Sequence, residues 1–272
     1  RPDPADPSPY SALSRLLPGV LDKLASRSEW LLWIETDRLL PPWHIPPELF
    51  EVYCEDLTDE AEEESEPLTA WADPPVGWFD QDDTASWELL HRSFAAAVSA
   101  FDADLGWIFD LFRDRGFDRT ATWAFTSDFG YPLGEHGIVG PHRPWLHEEF
   151  VHVPLIVRRP DAAGAGQRVW DMSTEKEFGG LVYAATERSG GGGEEGVVSV
   201  AAVAGHREAA LRTDTHALLL PLTDSDDEPR SPQLYEKPDD RWEMNNVRQP
   251  NLELADEMEA ELRARLAASL DQ

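Results

Sequence analysis

Two short apolar runs bracket the most chemically dense part of this chain. Trp123-Ala124-Phe125 and Val153-Pro154-Leu155-Ile156-Val157 each have the length and boundaries of a buried strand. Between them stand His136, His142, Arg143 and His147, with Glu135, Glu148 and Glu149. The first run passes directly into Thr126-Ser127-Asp128, so a carboxylate follows the strand's carboxyl end, where open α/β sheets bind their ligands. Two buried strands separated by an ionisable loop predict an α/β sheet whose functional residues lie in residues 122–160.

The remaining chain supplies helices and a second group of strands. Leu13, Leu16, Leu17, Val20, Leu21 and Leu24 recur at helical spacing, and Pro18 and Gly19 interrupt them, so a kinked helix or two short ones is expected. Trp30-Leu31-Leu32-Trp33-Ile34 reads as a strand. The clearest helix covers residues 84–112, with Leu90, Phe94, Val98, Phe101, Leu105, Ile108, Phe109 and Phe112 on one face. Asp83 or Thr84 is placed to cap it and Gly116 to end it. Strands are expected at 197–203, 209–213 and 217–220, and a terminal helix over 252–270 carries Leu254, Met258, Leu262, Leu266 and Leu270. The expected division is a Pro-rich linker over residues 1–10, an α/β core over 11–164 and a C-terminal subdomain over 165–272.

Composition narrows the partners. The formal net charge is −30 over 272 residues, which argues against nucleic acid or an anionic membrane as partner. Residues 55–66 hold eight carboxylates but no glycine for the sharp turn of a calcium loop, so they read as a solvated acidic loop. The four glycines at 190–193 lack the Lys-Ser/Thr of a phosphate-binding loop. Cys54 is the sole cysteine, so no intrachain disulfide forms and the compartment is not readable. No apolar run approaches a spanning helix and no signal peptide is visible. The opening at Arg1 on a Pro-rich run reads as the downstream part of something longer.

Residues 122–160 resemble the sulfatase family of the alkaline-phosphatase superfamily. Thr126-Ser127-Asp128-Phe129-Gly130 is similar to TSDHG or TSDNG, Leu133-Gly134-Glu135-His136-Gly137 to a GEHG turn, and His152-Val153-Pro154-Leu155-Ile156 to RVPLI. Arg143 stands four positions before His147-Glu148, where the family has a basic residue before tyrosine-glutamate. The helix from Phe94 to Gly106 and the ending around Leu234-Tyr235-Glu236 and Glu243-Met244-Asn245-Asn246 also resemble the family. The resemblance implies a mostly parallel sheet flanked by helices, with a small C-terminal antiparallel subdomain and terminal helix. It further implies sulfuric ester hydrolysis on a sulfated small molecule or glycan, with a divalent cation, usually calcium, as cofactor.

Carried over by residue, the resemblance implies Asp128 as a metal ligand and Arg143 as the contact to the substrate anion, with His142 beside it as a second candidate. Phe129 replaces the neighbouring Asn or His ligand, and Leu40 stands where the family has an active-site histidine, with His44 beyond Trp43. The family's formylglycine motif and first-strand aspartate pair have no counterpart here. The expectation is therefore a truncated or catalytically degenerate sulfatase, with a noncatalytic scaffold of the same fold as the alternative. A phosphoesterase of the superfamily needs more metal ligands than are found. A kinase is excluded because Asp128-Phe129-Gly130 stands without the other kinase motifs. A zinc site from His136, His142, His147 and His152 stays open, although His147 to His152 is one residue too long for HExxH.

Overall fold

A computed structural model describes residues 9–54, 68–162, 164–168, 196–203, 205–223 and 230–270. The acidic loop at 55–66, the glycines at 190–193 and most of the expected linker lie outside them. The chain forms two compact units and enters each more than once. One is Arg1–Pro75, Asp80–Thr122 and Arg158–Ala163, and the other is Val76–Phe79, Trp123–Val157 and Gly164–Gln272.

The first unit is helical. It contains α1 (Pro9–Leu24), α2 (Pro47–Val52), α3 (Thr84–Asp114), α4 (Phe117–Thr120) and a single 3-10 turn at Pro160–Ala162. α1 runs as one helix through Pro18, because Leu17 and Leu21 on either side are buried in one cluster with Ile108 and Phe117. Packing of an apolar face outweighs the lost backbone bond. Asp83 caps α3 by accepting a hydrogen bond from the Ser86 amide at 3.1 Å, and Gly116 follows the helix with φ 72°. The expected strand at residues 30–34 joins no sheet among the described residues. Its alternation is real: Trp30, Leu32 and Ile34 pack on the α1–α3 cluster while Leu31 and Trp33 are exposed.

The second unit holds β1 (Gly77–Trp78), β2 (Trp123–Thr126), β3 (Ile138–Val139), α5 (Glu148–Val151) and β4 (Leu155–Arg158, its last residue in the first unit). It continues with β5 (Val197–Val203), β6 (His206–Arg212), β7 (His216–Pro221), β8 (Gln233–Glu236) and α6 (Leu252–Leu270). β1 pairs antiparallel with β3, and β2 pairs with β4. The four strands β5-β6-β7-β8 form a meander that is antiparallel throughout. The molecule is thus mixed α/β. The expected mostly parallel sheet is not seen among the described residues, whose largest sheet is antiparallel, with strands that follow one another in the chain paired side by side.

β7 and the second half of β6 are buried on both faces, so β7 reads as an almost continuous apolar run while β6 buries the charged Glu208 and Arg212 as well. Ala209, Leu211, Leu218, Leu220 and Leu234 face one side and pack on Ala255, Met258 and Leu262 of α6. Ala210, Ala217, Leu219 and Tyr235 face the other, against Leu146. On that second face Glu208 and Arg212 flank Ala210, as the two-residue period of a strand requires. The Glu208 carboxylate accepts from the Leu146 amide at 2.8 Å, and the Arg212 guanidinium donates to the Leu146 carbonyl. The sheet therefore grips the backbone of the ionisable stretch one residue before His147.

Candidate functional site

The site is built on the second unit alone. After β2 the chain turns through Ser127, whose hydroxyl donates to the Phe129 carbonyl at 2.7 Å. Gly130 then passes close to α5, its amide donating to the Phe150 carbonyl at 2.7 Å. A Cβ at Gly130 would land on the Glu149 carbonyl oxygen, so only glycine fits this crossing. Gly134 and Gly137, at φ 94° and 77°, reverse the chain into β3 and project His136 inward between them.

His136 and His147 stack with ring centroids 4.1 Å apart. His136 Nδ1 lies 2.7 Å from Glu149 Oε1 and its Nε2 lies 3.1 Å from the Glu243 carbonyl oxygen. Both partners are acceptors, so the geometry favours the doubly protonated ring. Burial opposes that charge, but the hydrogen bond and charge of Glu149, with the carbonyl and carboxylate of Glu243, outweigh it and raise the His136 pKa. Burial likewise pushes Glu149 upward, yet His136 and the Trp145 indole N–H, at 2.7 Å, bring it below its usual value.

Glu243 organises the remaining groups. Its side chain is fully buried, and it accepts from His147 Nδ1 at 3.1 Å, from Arg212 at 2.9 Å and from the Glu148 amide at 3.2 Å. Lys237 Nζ stands 3.2 Å away. Burial raises its pKa, but His147, Arg212 and Lys237 lower it further than burial raises it. Glu243 has φ 59°, a left-handed conformation that costs a non-glycine residue about 1–2 kcal/mol. That conformation lets one residue present its carbonyl to His136 and its carboxylate to His147. Glu148 joins the network through Lys237 at 3.1 Å, Arg212 at 3.4 Å and His152 at 2.7 Å. Burial opposes its charge, but His152, Lys237 and Arg212 hold its pKa down at about 2.

The residues expected from the sequence divide sharply. His136 and His147 meet, but His142 is exposed beside Gly77 and His152 is exposed on Glu148, so the four-histidine zinc set does not assemble. Arg143 is held between two indoles, its guanidinium 4.3 Å from the Trp78 ring and 4.9 Å from Trp145. Asp128 is exposed, and its Oδ1 accepts the Phe129 amide at 3.1 Å. Phe129 stacks on Phe150 at 5.6 Å and 19°. Leu40 and His44 belong to the first unit, where both are exposed.

Sequence reasoning did not single out Glu243, Arg212, Lys237 or Glu208. The family-like ending includes Glu243 and runs up to Lys237, but it gives neither residue a role. Among the described residues, one group of three metal-ligating side chains converges: His136, His147 and Glu149, with ligand atoms within 4.8 Å of one another.

No family model matches the chain. It is 32% identical over 95 residues to an N-acetylglucosamine-6-O-sulfatase of Bacteroides thetaiotaomicron, a match covering 34% of this chain and 17% of that protein. It is 25% identical over 131 residues to a sulfatase of Formosa agariphila, covering 44% and 25% respectively. Among solved structures, the phosphonate monoester hydrolase of Agrobacterium radiobacter superposes with a TM-score of 0.63 at 17% identity, covering 95% of this chain and 61% of that one. The chain thus spans less than two thirds of the length of each of these three proteins.

Proposed function

Because this chain belongs to the sulfatase/alkaline-phosphatase superfamily, we propose that it is a sulfatase-like protein whose family cation site is degenerate. The observation that carries this reading is Phe129. It occupies a ligand position of the family motif and is spent on stacking against Phe150. Asp128, the one implied ligand present, turns its carboxylate to its own loop amide and joins no three-ligand group among the described residues. A hard cation such as calcium takes six to eight oxygen ligands, and these residues do not fit it.

In this reading the chain retains the downstream elements of a sulfatase-type domain. β2 and β4 are the two paired strands it keeps around the ionisable loop, and the antiparallel meander with α6 is the C-terminal module expected within residues 165–272. Its role is binding rather than hydrolysis. A second reading, sulfuric ester hydrolysis of a sulfated small molecule or glycan by the whole protein, draws support from Arg143. Its guanidinium is fixed by Trp78 and Trp145 where the family places a contact to the substrate anion, and Arg offers a bidentate fork to an oxyanion. His142 is the candidate beside it. Neither nucleic acid nor membrane is proposed as partner, and no described helix is long and apolar enough to cross a membrane.

Calorimetric titration with calcium tests the proposal, with Asp128→Ala as control. No binding at millimolar cation is expected. Micromolar binding that vanishes in the control would refute degeneracy and restore the hydrolytic reading.

A further inference from the structure

We propose that His136, His147 and Glu149 form a buried site for a divalent transition-metal ion such as zinc, separate from the Asp128 position and independent of the reading above. Two imidazole nitrogens and one carboxylate are a donor set suited to zinc rather than to calcium or magnesium. The three ligand atoms already lie within 4.8 Å of one another. Zinc bonds of about 2.0–2.2 Å require them to close further, which a side-chain adjustment supplies.

The surroundings match what a metal-bound histidine needs. A ligating histidine donates its other ring N–H to a carboxylate or carbonyl, which fixes its tautomer. His147 donates Nδ1–H to Glu243 Oε2, leaving Nε2 as its ligand atom. His136 has the Glu243 carbonyl at Nε2, leaving Nδ1 as its ligand atom on the Glu149 side. One residue in a left-handed conformation thus orients both rings.

The carboxylate points the same way. The Glu149 side chain is 6% exposed and has no Lys or Arg partner among the described residues. His136 and Trp145 both approach Oε1, while Oε2 is buried with no hydrogen-bond partner. A buried anion with an open oxygen is a costly arrangement unless a cation completes it. The incoming ion takes the place of the proton shared by His136 Nδ1 and Glu149 Oε1, which leaves to solvent. With His147 at 2% exposure the site is closed, so its role is to brace α5 against the segment carrying Glu243.

The test is equilibrium dialysis and calorimetry of the whole chain with zinc, followed by cobalt substitution. One equivalent is expected to bind with micromolar or tighter affinity and to raise the melting temperature. Cobalt is expected to give visible absorption bands and paramagnetically shifted N–H signals from two imidazoles. Glu149→Gln and His136→Asn are expected to weaken binding at least tenfold, while His206→Asn, an exposed histidine, leaves it unchanged. No zinc binding at 1 mM, or equal binding by the Glu149→Gln variant, overturns the site. Should both variants fail to fold, the wild-type cobalt complex decides: two shifted imidazole N–H signals sustain the proposal, and none overturns it. Calcium titration reports on Asp128, so the two proposals fail separately.

Discussion

Removing the charge of Glu243 is the most informative perturbation of the second unit. Glu243→Gln keeps the shape of the side chain but leaves Arg212 and Lys237, only 10% and 11% exposed, without their buried counter-ion. Taking one partner from a buried ion pair costs about 3–5 kcal/mol. Glu148 Oε1 still faces both cations, at 3.4 and 3.1 Å, so the lower end applies and about 3 kcal/mol is expected. Glu243→Ala also strands the His147 N–H and the Glu148 amide, each worth about 1–3 kcal/mol when left unsatisfied, and should lose about 5 kcal/mol. For a chain of this size, 3 kcal/mol corresponds to a fall of roughly 6–12 °C in Tm. Urea unfolding with EDTA present, followed by tryptophan fluorescence and circular dichroism, measures the change. Asp110→Asn is the control, because its pair with Arg113 is exposed and worth about 0.5 kcal/mol at most. A Glu243→Gln variant within 1 kcal/mol of wild type would show that the buried network does not hold this unit together.

Three further outcomes are expected. Gly130→Ala should destabilise by about 3 kcal/mol or fail to fold, since its Cβ meets the Glu149 backbone, and the soluble yield and melting curve report it. Leu262→Ala should cost about 3 kcal/mol in urea unfolding, because the side chain is fully buried between α6 and the meander. Glu148 has a folded pKa of about 2 against an ordinary 4.5, so its contribution is present above pH 4.5 and is lost as pH falls towards 2. The full loss is about 3 kcal/mol at 1.36 kcal/mol per pH unit, and Glu148→Gln should flatten that part of the stability profile.

Much of the fold was legible where periodicity was intact. The helical spacing of Phe94, Phe101 and Ile108, and of Met258 and Leu262, marks α3 and α6 because each buries a single face. β4 begins at Leu155 rather than at the expected Val153 because Pro154 has no N–H to give a ladder. Trp30 to Ile34 shows the opposite failure: strand-like alternation arises from a segment laid on helices, with no strand paired to it among the described residues. Half the site was legible as ionisable residues in residues 122–160, but which histidines converge was not. His136 and His142 carry the same chemistry, and only turn geometry at Gly134 and Gly137 buries one of them. The role of Glu243 was not legible, because no local pattern announces a carboxylate that acts 96 residues upstream.

That long reach governs the order in which this protein can assemble. A ribosome releases residues 122–160 well before residue 243, so His147 and Glu148 wait through a further 96 and 95 residues for their acceptor. Both compact units are also interleaved along the chain, since residues 76–79 belong to one and their flanks to the other. Neither can be excised as a continuous fragment. A chain cut after the meander but before Glu243, between residues 237 and 242, should keep the grip of Glu208 and Arg212 on Leu146 but lack the lock. Topology of this kind makes closure a late, non-local event, and folding correspondingly slow.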